Sequence, residues 1–126
     1  MKQVLTPLAP QPVGHYSQAV VHQNLVYVSG QLPVNPGTTD KHIGSIEEQT
    51  EQTLKNLSQI LTAAGSSLDR VIKTTVYVSD IGLWGKVNKV YAETFGEHRP
   101  ARAVVPTGEL HGGYQVEIDA IAAVGD

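Results

Sequence analysis

The sequence predicts an α+β chain built on a single mixed β-sheet of about six strands, with two helices packed on one face. Three observations predict it. Two segments, near 45–64 and 83–95, carry apolar residues at spacings of three and four. Several short segments read as strands, 16–22, 25–31, 71–78, 101–105 and 114–123, with 71–78 rich in β-branched residues. The two kinds interleave in the order β-β-α-β-α-β-β, with a further short strand at residues 2–5. At 126 residues the expectation is one domain, 1–126, large enough to bury a core.

Residues 6–14 contain Pro7, Pro10 and Pro12 and read as an extended loop. Strands 16–22 and 25–31 are joined by a tight turn at His22-Gln23-Asn24, and residues 33–44 form a polar loop. Ser45 can cap the first helix, with Glu48 closing a capping box. Ile46, Thr50, Leu54, Leu57, Leu61 and Ala64 then share one helical face, and Gly65 stops the helix. Simple alternation in 71–78 puts Ile72, Thr74, Val76 and Val78 on one face and Val71, Lys73, Thr75 and Tyr77 on the other. The second helix turns Leu83, Trp84, Val87, Val90, Tyr91 and Phe95 inward.

Two helices cover only one face of such a sheet. Yet Leu25-Val26-Tyr27-Val28 is apolar on both faces, and Val71 and Tyr77 share a face with Thr75. A sheet face that apolar is usually buried by something. The sequence holds no third layer, so the expected cover is another copy of the chain, in a homo-oligomer.

The formal net charge of −3 argues against a broad nucleic-acid or anionic-membrane footprint. No apolar run approaches the ~20 residues of a membrane span, and the N-terminus shows no secretory apolar region. The expected location is cytoplasmic. With no cysteine there is neither a disulfide nor a thiolate nucleophile. His15, His22, His42, His98 and His111 lack metal-ligand spacing and read as surface or turn residues, so no metal is expected, and no Gly-rich phosphate loop is present.

The chemistry concentrates in Arg99-Pro100-Ala101-Arg102 and Val116-Glu117-Ile118-Asp119-Ala120. Arg102 precedes the apolar Ala103-Val104-Val105 and stands at the end or face of a strand. Its planar guanidinium suits bidentate capture of a carboxylate. An arginine there serves equally well to pair with Asp119, and the residues alone leave both readings open. Arg99, in a loop before Pro100, reads as a surface charge. Glu117 lies on a strand expected to fold back beside that of Arg102. Alternation puts Val116, Ile118 and Ala120 on one face and Glu117 and Asp119 on the other, either as an acidic solvent face or near an interface. Taken singly, Tyr16 is a packed ring, Ser29-Gly30 a strand end and Asn88 a polar helix position.

Pro100-Ala101-Arg102 followed by Val116-Glu117-Ile118-Asp119-Ala120-Ile121-Ala122 resembles the signature of the RidA/YjgF family, the small enamine/imine deaminases. The likeness extends through Gly14-His15-Tyr16-Ser17-Gln18, Val28-Ser29-Gly30-Gln31-Leu32-Pro33, Val71-Ile72-Lys73-Thr74-Thr75-Val76 and Val87-Asn88-Lys89-Val90-Tyr91. It implies a chorismate-mutase-like fold and a homotrimer around a central barrel, with sites in the clefts between subunits. It matches Arg102 to the residue that binds the substrate carboxylate, and Glu117 to the acid that positions the attacking water. It places Tyr16, Ser29, Gly30 and Asn88 along the cleft, with Gly30 allowing close backbone approach. The implied activity is hydrolytic, cofactor-free deamination of 2-enamine/2-imine acids of the 2-aminoacrylate type. A non-catalytic module binding a keto acid or amino acid is the alternative, and a ribonuclease a weaker one. Many members carry Ser-Cys after the arginine where this chain has Ala103-Val104, and Leu-Pro where it has Leu110-His111-Gly112-Gly113. Substrate preference is where these departures fall.

Overall fold

The computed structural model describes residues 1–125. Its strands are β1 (Lys2–Val4), β2 (Ala19–His22), β3 (Leu25–Gln31), β4 (Val71–Val78), β5 (Ala101–Pro106) and β6 (Val116–Ala123); its helices are α1 (Ile46–Ala63) and α2 (Trp84–Phe95). One six-stranded sheet runs β1-β2-β3-β6-β4-β5. Only β4 and β5 are parallel, joined by the α2 crossover that a parallel pair requires. The mixed sheet with two helices is the expected architecture.

Local chemistry explains the element ends. Gln23 and Asn24 have φ of 50° and 66°, the left-handed pair that lets a two-residue turn follow the strand twist. At α1, Ser45 Oγ accepts from Glu48 N at 3.1 Å while Glu48 Oε1 accepts from Ser45 N at 3.2 Å. Gly65 leaves the helix with φ of 84°. Leu54, Leu57, Ile60 and Leu61 are at most 1% exposed, and burying each contributes about 1.5–3 kcal/mol.

Four details differ from the sequence reading. Residues 16–18 are not strand. The Gln18 side chain is drawn into the N-terminal loop instead, accepting from Thr6 N at 2.8 Å and donating to Thr6 O and Pro10 O at 3.1 and 3.0 Å. The last strand begins at Val116 rather than at 114. In β4 a bulge shifts the register between Val71 and Lys73, so Val71 is buried and Ile72 is 48% exposed. An extra residue puts the two sides of a bulge out of phase, which simple alternation does not foresee. Trp84 opens the first turn of α2 and is 45% exposed rather than inward.

Val26, Val28, Val76, Val78, Val116, Ile118, Ala120 and Ala122 face the helices and are at most 4% exposed. Among the described residues, no element covers the opposite face. Tyr27 is 44% and Val105 37% exposed there. Tyr77 and Ile121 share that face by register. Among the described residues, no helix is long and apolar enough to cross a membrane.

One buried polar residue ties α1 to the loop that follows β3. Asn56 is fully buried, and its Nδ2 donates to Leu32 O at 3.0 Å and Val34 O at 2.8 Å. Asn56→Ala leaves both carbonyls without that donor. The expected loss is about 2–4 kcal/mol by urea unfolding; a change within error would show that water replaces the amide.

Candidate active site

The site begins with an extra residue in β3. Val28 pairs with Ala120 and Gln31 with Ile118, so Ser29 and Gly30 together oppose Asp119. The bulge is anchored on its outer side: Ser29 N donates to Gln18 O at 3.0 Å, and Ser29 Oγ to Ser17 O at 2.7 Å. Glu117 fills the space over Gly30. A Cβ added at residue 30 would lie 2.0 Å from Glu117 Oε2 and 3.0 Å from its Cδ. Only glycine admits this seating of the acid.

Glu117 faces a cavity of about 370 Å³ whose walls include Tyr16, Ser29, Gly30 and His111. Burial raises its carboxyl pKa above the ordinary 4.5. The Asp119 charge raises it further, and His111 opposes both. Asp119 is occupied elsewhere, accepting from Thr75 N at 3.2 Å and from the Tyr77 hydroxyl at 3.1 Å. It therefore does not pair with Arg102. The Tyr77 phenol is itself pushed up, chiefly by burial and then by the Asp119 charge.

Arg102 sits on the other side of the sheet. It pairs with Thr74 while Glu117 pairs with Tyr77. Thr74 and Tyr77 alternate to opposite faces. Thr74 points toward the helices, and so does Arg102, at the open edge of β5. Its Nη1 donates to Asn88 Oδ1 at 2.8 Å. Its guanidinium lies 4.8 Å from the Tyr91 ring centroid and 6.0 Å from that of Trp84, within cation–π range. The Tyr91 hydroxyl is held by Thr74 Oγ1 at 2.7 Å. Burial raises the Tyr91 phenol pKa, against Thr74 and the Arg102 charge. Asn88, Tyr91, His98, Arg99 and Arg102 line a cavity of about 530 Å³. Arg99 is exposed as expected, although on that wall.

The expected residues thus fall into two groups. Tyr16, Ser29, Gly30 and Glu117 share one cavity; Arg102 and Asn88 are bonded in another. The expectation of neighbouring strands for Arg102 and Glu117 is corrected, because β4 lies between β5 and β6. A parallel crossover delivers β5 to the far side of β4, which the order of segments does not reveal. Two neighbours of these groups were missed. His111 read as a turn residue, and nothing in its spacing ties it to Glu117. Tyr91 read as core, yet it stands three positions beyond Asn88 on one helical face, a spacing that signals proximity.

Fold and site define a class: small α+β proteins that hold an acid in a pocket on an otherwise uncovered sheet face. Residues 6–124 match the family described as Endoribonuclease L-PSP. A RutC family protein of Pyrococcus horikoshii is 47% identical over 97% of this chain and 98% of its own. The 2-iminobutanoate/2-iminopropanoate deaminase of Rattus norvegicus is 42% identical over 98% of this chain and 90% of its own. A crystal structure of a Thermotoga maritima protein superposes with a TM-score of 0.94, at 44% identity, over 100% of this chain and 99% of its own. The chain belongs to this L-PSP family, the RidA/YjgF family of its sequence motifs.

Gly30→Ala tests the seating of the acid. The new methyl forces the Glu117 carboxylate outward, and its pKa, followed by carboxyl-carbon NMR, is expected to fall toward 4.5. An unchanged titration would place the carboxylate away from Gly30. Glu117→Gln tests the cost of its charge. A raised folded-state pKa means that the native state favours the protonated acid, so stability declines as pH rises through that pKa. The variant is expected to melt higher than the parent at pH 7, with the gap closing below the unfolded carboxyl pKa of about 4.3. An equal gap at every pH would trace the effect to packing.

Proposed function

We propose that the protein is a cofactor-free hydrolytic deaminase of 2-enamine/2-imine acids. The observation that carries this is the half-buried Glu117, with its raised pKa, in a pocket with Tyr16 and Ser29. Water adds to C2 of the imine, the C2–N bond breaks, and the products are a 2-keto acid and ammonia. No electron leaves or enters, so no redox partner is required. Glu117 as carboxylate orients the water, takes one of its protons and passes it to the nitrogen; it then moves the remaining hydroxyl proton to the nitrogen as the C2–N bond breaks and ammonia departs. The hydrogen of Ser29 Oγ is committed to Ser17 O, so this hydroxyl acts as an acceptor toward an imine N–H. The Tyr16 hydroxyl offers a donor, and the bare Cα of Gly30 allows close approach. Imines hydrolyse unaided in water, so positioning and one general base supply the modest acceleration required.

Arg102 is the carboxylate clamp in this reading, kept in place by Asn88 and Tyr91. Its side chain is on the opposite face from Glu117, so a complete site draws the two residues from different subunits. A homotrimer with its apolar sheet faces turned inward provides that arrangement and covers Tyr27 and Val105. Val104 shares the face of Arg102 and presents an apolar wall where many members carry a thiol.

The test is a coupled assay in which an amino acid oxidase supplies 2-iminobutanoate and keto-acid release is followed. Arg102→Ala is expected to lower the rate roughly a hundredfold, and Glu117→Gln to abolish turnover while retaining keto-acid binding. Mixing the two inactive variants by co-refolding is expected to restore about a quarter of the sites. Restoration would establish a site shared between subunits. Its failure, with both single variants inactive, would place the site within one chain. Wild-type binding of keto acids without any turnover would instead make the protein a metabolite-binding module.

A further inference from the structure

The Glu117 cavity continues past the acid. Val13, Tyr16, Gly30, Leu32 and His111 also line an adjoining cavity of about 480 Å³ that reaches Lys41 in the loop after β3. Among the described residues, its walls hold no aspartate or glutamate. They hold one fixed cation, Lys41, and one titratable base, His111.

Lys41 is brought to this wall by neutral partners. Its ammonium donates to the carbonyl of Gly112 and stands 5.2 Å from the centroid of the Tyr114 ring. The ion pair found among the described residues is His42–Glu48, at 3.6 Å. Among the described residues, the Lys41 charge therefore has no carboxylate within salt-bridge distance. An ammonium offers more donors than the one that Gly112 takes. The cavity thus has an acid at one end, apolar Val13 and Leu32 along it, and an unneutralised cation at the other. That sequence of chemistries fits a molecule whose second anionic group is separated from its reacting carbon by a short apolar chain.

We propose that the preferred substrates are dicarboxylic 2-imino acids, with Lys41 binding the distal carboxylate. This rests on the imine-deaminase reading and names the substrate class of the same site. The first carboxylate goes to Arg102, the imine carbon to Glu117, and the distal carboxylate to Lys41, with His111 beside the chain between them. Lysine suits this place because a compact charge on a flexible stem follows chains of somewhat different length.

The test compares 2-iminoglutarate, supplied by glutamate oxidase, with 2-iminobutanoate. Wild type is expected to show a kcat/KM about tenfold higher for 2-iminoglutarate, a factor that one hydrogen bond to a charged group supplies. Lys41→Met keeps the length of the stem and removes the charge; it is expected to erase that ratio, and Lys41→Arg to keep it. The same ratio in wild type and Lys41→Met would overturn the assignment while leaving the deaminase reading intact. If wild type hydrolyses neither imine, the deaminase reading fails and calorimetric titration with glutarate decides the subsite. Binding weakened about tenfold by Lys41→Met would then support it, and equal binding would overturn it.

Discussion

The seating of the Glu117 carboxylate over Gly30 is the constraint on which the site depends. It needs a residue without Cβ, because the acid occupies the volume a methyl would take. It also needs the bulge that sets Ser29 and Gly30 against Asp119. Without the added residue, strict alternation would carry Gly30 to the helix face and away from the acid. The loop preceding β2 keeps the bulge in place, since Ser17 O and Gln18 O accept its Ser29 donors. Gln18 in turn binds Thr6 and Pro10. The irregular N-terminal segment is therefore part of the pocket's support, and its prolines reduce the conformational entropy spent in fixing it.

The same sheet keeps the cation and the acid apart. If Arg102 lay beside Glu117 within one chain, the two would neutralise each other and a substrate carboxylate would have to displace an ion pair. Separation on opposite faces keeps the two from pairing within a chain. Arg102 is held by a neutral amide and by aromatic rings, which orient a guanidinium without cancelling its charge. Asp119, the acid nearest Glu117 in sequence, is bound to Thr75 N and Tyr77 OH. Burial and then the Asp119 charge raise the Glu117 pKa, and a carboxyl shifted upward is a better proton acceptor once ionised.

How much of this was legible depended on whether the information was local. The capping box at Ser45 and Glu48, the turn at Gln23-Asn24 and the stop at Gly65 are decided by adjacent residues, and the sequence displays them. Alternation placed Glu117 opposite Ile118 correctly because β6 is regular. It misplaced Val71 and Ile72, since a bulge is a property of strand pairing, seen only when the partner is known. The supposed adjacency of Arg102 and Glu117 failed for a related reason: which strand a crossover lands beside is a tertiary choice. The family motifs carried the site residues together without saying that they occupy opposite faces. His111 was invisible, because its nearness to Glu117 is made by a glycine-rich turn with no periodicity of its own.

The glycine-rich turn at Gly112 and Gly113 borders the cavity rather than forming its frame. Gly112 and Gly113, with φ of 74° and 80°, let the turn before β6 double back and put His111 on the pocket wall. A side chain at position 112 would press on Tyr114 at 3.1 Å and on Lys41 at 3.4 Å, so the turn and the loop bearing Lys41 are fitted to each other. Both belong to connections, which tolerate change because little of the core rests on them. The acid and its glycine belong to the paired strands, and the arginine is set by the parallel register of β5. On the proposed reading, a rigid sheet carries the reacting groups and the bordering loops set the chemistry of the remaining wall, so that specificity can change at Lys41 and His111 without disturbing the seating of Glu117.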